Sequence, residues 1–288
     1  MLGDGMTSLV RTFRVVLPPA LAVSLPASVL VILIFQNVDG ALEFLDVVVN
    51  TPERLQNLPS EVILDLARPF YMAAGLATLA QLVTGIFVAL VGHRAVACQV
   101  AEVETSARRA ALHAARRYPV ALLAVVVVAL VVAGLIALGA IAWLTPLMTV
   151  GTPNTTSLLV AFLLFIALIG PGIWAAVSVS MTTAVVTIEG RGVVASVRRS
   201  MRLVRGRWWA TTGFLALVGL LGGIAVQMIQ LVAFPLVGLG EASAGLLIAA
   251  ALGIFAQGIF VAGIAIMTTQ WYLDLRARLE TFAATDLV

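Results

Sequence analysis

Six stretches of this chain are long, apolar and free of Asp, Glu, Lys and Arg: Val15–Phe35, Phe70–Val91, Val120–Leu144, Leu158–Ile188, Trp209–Leu236 and Ala244–Tyr272. A bilayer's hydrocarbon core is ~30 Å thick and takes ~20 apolar helical residues to cross. Water cannot satisfy the backbone there, so an uncharged run of that length folds as a helix that keeps its own hydrogen bonds. The pattern predicts an all-α polytopic membrane protein with about six transmembrane helices, residues 1–288 forming a single membrane domain. Composition agrees: 61% of residues are hydrophobic and 11% charged, against roughly 25% charged in soluble domains. Surface this apolar would aggregate in water, so lipid is part of the solvent.

Arginine fixes the orientation. Every basic residue is an arginine, a habit that with the Ala, Val, Leu and Gly excess suggests a GC-rich, actinobacterial-like source. Arg11 and Arg14 precede the first span; Arg94, Arg108, Arg109, Arg116 and Arg117 follow the second. Arg191, Arg198, Arg199, Arg202, Arg205 and Arg207 follow the fourth, and Arg276 and Arg278 the sixth. Only Arg54 and Arg68 fall on the other side. The positive-inside rule makes the arginine-rich side cytoplasmic, with both termini there, in a bacterial inner membrane. The first run is longer than a signal-peptide core and reads as a retained span. The one cysteine, Cys98, allows no internal disulfide and reads as a structural thiol.

The outer side holds one sizeable loop, 37–68, with Asp39, Glu43, Asp46, Glu53, Glu61 and Asp65. Segments Ala41–Val49 and Ser60–Ala67 can form short amphipathic helices. The fourth stretch would reach ~46 Å at 1.5 Å per residue, so a kink is expected at Gly170-Pro171-Gly172. Pro18, Pro19 and Pro26 predict that the first span is bent or starts late.

A shift of ninety positions lays Ser106-Ala-Arg-Arg109 on Ser196-Val-Arg-Arg199, and Arg117-Tyr118 on Arg207-Trp208. This suggests a parallel tandem repeat over roughly 102–188 and 189–272. Each copy opens with a candidate interfacial helix, 102–118 and 191–208. In the second, Val193, Val197, Met201, Val204 and Trp208 make one apolar stripe, with Arg191, Arg198, Arg202 and Arg205 opposite. Such a helix is expected to lie in the interface with its arginines on the anionic inner leaflet. Arg108, Arg109, Arg116, Arg117, Arg198, Arg199, Arg202, Arg205 and Arg207 are therefore candidates for binding a lipid headgroup or an envelope membrane protein; the plainer reading is that they only fix topology. Past span 6, Asp274, Arg276, Arg278 and Glu280 alternate in sign, and Asp274 and Arg278 can pair on one face. This motif reads as a cap and anchor or as a docking surface for the basic helices.

Two segments, Ser196-Val-Arg-Arg-Ser-Met-Arg-Leu-Val-Arg-Gly-Arg-Trp-Trp209 and Thr268-Thr-Gln-Trp-Tyr-Leu-Asp-Leu-Arg-Ala-Arg-Leu-Glu280, give the chain a family resemblance. It resembles the bacterial membrane-domain family named after the membrane domain of glycerophosphodiester phosphodiesterases. The likeness spans about residues 70–280 and departs from the family's Glu-Gly at Glu280-Thr281. It implies a stand-alone six-span domain. It does not imply phosphodiesterase activity, which in the fused proteins belongs to a separate soluble barrel.

The residues offer no catalytic constellation. His93 and His113 are the only histidines. His93-Arg94 echoes the barrel's His-Arg pair, but the carboxylates such a metal site needs are not near it. No Cys/His cluster suits a metal, and no glycine-rich loop with a lysine suits a phosphate. The expectation is no cofactor and no nucleic-acid partner. The spans carry uncharged polar groups only, among them Gln81, Thr84, Gln227, Gln230 and Gln257, where an ion-coupled transporter usually keeps ionisable ones. A non-catalytic scaffold or accessory protein in envelope or lipid handling fits best. A transporter or channel for a lipid-like or neutral solute, with Gln227 and Gln230 as candidate lining residues, is the alternative; a phosphodiester-lipid enzyme comes third.

Overall fold

A computed structural model describes residues 2–38, 58–149, 155–233 and 242–281, together with 40, 43–44, 47–48, 51, 53–54 and 287. Its long elements are α1 (Leu2–Asn37), α2 (Ser60–Val100), α3 (Ala107–Thr149), α4 (Thr155–Ser178), α5 (Thr182–Ile188), α6 (Val193–Arg205), α7 (Trp208–Ala233) and α8 (Ala242–Leu279). The described residues contain no strand. Within the described residues the apolar stretches are helical, the fourth on two helices in succession, and several helices run well past the stretch that announced them. α2 takes in Ser60–Arg68, so that part of the expected outer loop 37–68 is helix; most of 41–49 lies outside the described residues. α1 runs unbroken through Pro18, Pro19 and Pro26.

Three expectations need correcting. The segment 102–118 is not a helix of its own: after a turn at Ala101–Ser106, α3 runs from Ala107 straight into the apolar stretch, through Pro119. After Val193–Arg205, by contrast, Gly206 caps the end of α6 and separates it from α7. Ninety residues earlier the position is Arg116, a good helix former, so nothing interrupts the ladder. Second, the fourth stretch is not one helix: it is interrupted at Val179–Met181, while α4 continues through Pro171. Third, the buried face of α6 is Ser196, Arg199, Ser200, Leu203 and Val204. Of the expected apolar stripe only Val204 is buried, while Met201 is exposed.

The interruption at Val179–Met181 has a chemical cause. Breaking a helix frees carbonyl and amide groups that need new partners. Ser180 Oγ donates to Val177 O at 2.8 Å and Thr182 Oγ1 to Val179 O at 2.6 Å. Ser200, fully buried on α6, donates to Ser178 O at 3.0 Å and accepts from the Met181 amide at 3.1 Å. One hydroxyl thus bridges both sides of the break. Ser200→Ala should leave a buried carbonyl and a buried amide unpaired, costing about 2 kcal/mol. Thermal melting in detergent checks this; a shift no larger than that of Arg198→Ala, at an exposed site, would refute it.

The chain divides into two compact units. The first comprises 1–115 and 218–267. There α1 packs on α2, with Val31, Phe35, Ala77 and Ala80 in contact. Small residues bring α8 close to its neighbours, as helix packing in lipid favours. A Cβ on Gly92 of α2 would stand 2.6 Å from Ala265 Cβ of α8, and one on Gly258 would strike Ser24 of α1. Beside that crossing Ser24, Gln81, Thr84 and Gln257 line a cavity of about 30 Å³, room for about one water. Gln227 is exposed on α7, and the Gln230 side chain lies outside the described residues. The second unit comprises 116–217 and 268–288. Its core joins Val177, Met181, Val185, Leu203, Val204, Tyr272 and Leu275, flanked by Trp208 and Trp271.

Candidate functional site

The densest chemistry in the second unit gathers around Glu189, in the turn between α5 and α6. Gly190 makes that turn in the left-handed region, φ +66°, which a glycine adopts without strain. The reversal lays α6 back on α5 and turns Arg199 and Ser200 inward. Arg199 Nε donates to Glu189 Oε1 at 3.0 Å. Tyr272 Oη, on α8, donates to the same oxygen at 2.8 Å. Arg191 Nε closes on Oε2 at 2.6 Å. On its other side Arg199 Nη1 lies 2.5 Å from Glu280 Oε1, and Arg276 Nε lies 3.5 Å from Glu280 Oε2. The result is a ladder of alternating charge: Arg191, Glu189, Arg199, Glu280, Arg276. The Glu189 and Arg199 side chains are each only 6% exposed.

Burial of this kind is tolerated because each charge faces an opposite one within 2.5–3.5 Å. Desolvation alone would raise the Glu189 carboxyl, but the hydrogen bonds from Tyr272 and Arg199 and the charges of Arg199 and Arg191 outweigh it and hold the group below its ordinary value. Arg199 loses solvation too, yet hydrogen bonds and charge from Glu280 and Glu189 push its guanidinium above its ordinary value. The Glu280 carboxyl is lowered chiefly by its hydrogen bond to Arg199. All three stay ionised at neutral pH.

The basic residues singled out in the sequence divide by environment. Arg108, Arg109, Arg116, Arg198, Arg202, Arg205 and Arg207 are exposed, and Arg199 is buried in the ladder. Arg117 is half-buried, and its Nη1 donates to Gly190 O at 3.2 Å, bracing the turn. In the C-terminal motif, Asp274 and Arg278 pair at 2.8 Å on the surface, while Arg276 and Glu280 enter the ladder. Arginines that match at a shift of ninety positions thus differ in environment: Arg109 is exposed and Arg199 is buried.

Sequence reasoning missed Glu189, Tyr272 and Ser200. One signal was available: Glu189 is the only acid between Glu104 and Glu241, set among six arginines and followed by glycine. His93 is buried on α2 and hydrogen-bonded to the backbone of Ala265. Cys98 is buried as well. Among the described residues no three of His, Cys, Asp and Glu are grouped to hold a metal.

Among the described residues six helices are long and apolar enough to cross a membrane: Val10–Asn37, Glu61–Val100, Ala107–Ile141, Phe162–Ile188, Trp208–Ala225 and Ala256–Leu279. Among the described residues the fold is all-helical, with six helices that could span a membrane and a buried charge ladder among its polar features. The chain belongs to the family described as a domain of unknown function (DUF7847), whose model matches residues 6–275. No curated protein and no solved structure matches it.

Proposed function

We propose that this protein is a non-catalytic scaffold for lipid handling in the bacterial cell membrane, with both termini in the cytoplasm and α6 gripping the anionic inner leaflet. The observation that carries this is the division of labour on α6. One face is fixed to the protein through Arg199, Ser200 and Leu203. Arg198, Arg202 and Arg205, at i, i+4 and i+7, fan over another that is exposed. Between them Val194 and Met201 stand exposed, 73% and 37%. A helix with a basic face beside an uncovered apolar flank suits the headgroup boundary. A tandem repeat with a degenerate first copy belongs to the same reading.

Each exposed arginine near an anionic surface contributes ~1 kcal/mol. Replacing Arg198, Arg202 and Arg205 by Gln should weaken retention of phosphatidylglycerol on the purified protein on the order of 100-fold. Native mass spectrometry of the full chain after gentle extraction measures it. Equal retention by wild type and variant would overturn the lipid role. Stable co-purification of an acidic envelope protein that the variant loses would replace it with a protein partner.

The transporter reading is weaker because the mid-helix polar cavity holds only about 30 Å³. Kinship with the phosphodiesterase membrane domain remains a proposal resting on the two sequence segments alone. The ladder argues against hydrolysis, since its carboxylates and guanidiniums are engaged with one another rather than converging on a free space.

A further inference from the structure

A second polar feature lies in the first unit. A half-open cleft of about 530 Å³ separates α1 from the turn that joins α2 to α3. That volume falls within the range of small-molecule sites. Val15 and Ala95, on the apolar parts of α1 and α2, form one part of its wall. Thr12 hydrogen-bonds to Gln99 at its side. The charged lining is Arg11 on α1 and Glu102 and Glu104 on the turn. Among the described residues neither carboxylate is ion-paired with Arg11.

Glu102 occupies an unusual place. α2 ends with Glu102 N–H donating to Gln99 O at 3.1 Å and Val103 N–H to Cys98 O at 2.9 Å. This is the Schellman closure, whose left-handed residue is usually glycine. Here it is a glutamate at φ +55°, a conformation that costs an L-residue roughly 1–2 kcal/mol. The chain thus sets a carboxylate on the cleft where the backbone alone would favour glycine, an outlier of the sort found at ligand sites.

The geometry points to a binding site for an ammonium–phosphate zwitterion, the headgroup of phosphatidylethanolamine, with the phosphate on Arg11 and the ammonium on Glu102 and Glu104. Two carboxylates disfavour a purely anionic headgroup. Among the described residues no aromatic side chain lines the cleft, so they offer no cage of the kind that recognises a quaternary ammonium. A primary ammonium instead offers N–H donors that carboxylates accept as charge-assisted hydrogen bonds. Val15 and Ala95 give the glycerol and first acyl carbons an apolar wall. The same headgroup exists in water as O-phosphoethanolamine, so the chemistry is shared by a lipid and a solute.

The test is lipid binding to the purified full chain by native mass spectrometry, with phosphatidylethanolamine, phosphatidylcholine and phosphatidylglycerol titrated separately. Wild type should bind phosphatidylethanolamine at least about ten-fold more tightly than phosphatidylcholine. Glu102→Gln with Glu104→Gln should abolish that preference. Glu102→Gly should weaken it too while melting no lower than wild type, which separates the carboxylate's role from that of the turn. Displacement of the lipid by millimolar O-phosphoethanolamine would support a site that reads the headgroup alone; no displacement would support one that also needs the acyl chains. Equal binding of the ethanolamine and choline lipids by wild type, or a preference that survives both variants, would overturn the inference. The α6 arginine variant should keep the preference, so failure here and failure of the phosphatidylglycerol test are separate results.

Discussion

Arg199→Ala is expected to destabilise the protein by about 3 kcal/mol, the largest effect of any single arginine in the chain. Breaking a buried ion pair typically costs 3–5 kcal/mol, because the abandoned charge stays out of water. Arg199 serves two carboxylates. Glu189 is as buried as Arg199 and would keep only Tyr272 and Arg191; Glu280 is 36% exposed, so water softens that half of the loss and places the expectation at the low end. Arg198→Ala, one residue away but exposed, should stay within about 0.5 kcal/mol. Arg109→Ala, ninety positions before Arg199 and exposed, should behave like Arg198→Ala. Arg199→Lys should fall between, since an ammonium lacks the planar fork that meets two carboxylates at once. Apparent melting temperatures in one detergent compare the four. If Arg199→Ala melted like Arg198→Ala, the ladder would have no part in holding α6 to α8.

Acidification is expected to erase the stability difference between wild type and Glu189→Gln. The folded state holds the carboxyls of Glu189 and Glu280 below their ordinary values. A carboxylate lowered on folding contributes its full stability above its unfolded value, ~4.3. That contribution is lost as pH falls through the lower folded value. At pH 7 wild type should therefore melt clearly above Glu189→Gln. From about pH 4 downward its melting temperature should fall faster than the variant's, and the two curves should converge. Between pH 6 and 9 the gap should be flat, because the Arg199 guanidinium, raised by its two carboxylates, stays charged throughout. A gap that held constant to pH 3 would mean that the ladder's carboxylates do not govern the response.

The helices were legible in the sequence because the bilayer imposes a one-dimensional rule. An apolar run free of charge has to be helical, and Val15–Phe35, Phe70–Val91 and Val120–Leu144 each lie inside a longer helix for that reason. The i,i+4 pairing of Asp274 with Arg278 was legible too, since spacing within one helix fixes the distance. Proline was a poorer guide. Pro171 names a weakened hydrogen bond but not whether the helix gives way there; the interruption falls at Val179–Met181, where Ser180, Thr182 and a distant Ser200 supply the replacement hydrogen bonds. The face of α6 was misjudged for a related reason. Periodicity ranks faces by apolarity and sends arginine outward, whereas Arg199 turns inward to meet two carboxylates, one ten residues before it and the other eighty-one residues after.

The sequence by itself determined that this chain is helical and suited to lipid, and which residues were available to meet headgroups. Those properties depend on composition and on neighbours within one helix. The tertiary structure alone decided which of the chemically identical arginines are spent internally and which remain outward. It also decided that Glu102 sits strained beside a cleft with Arg11. Both depend on residues far apart in the chain, whose charges act over a few ångströms of space and leave no periodic mark in the order of the amino acids.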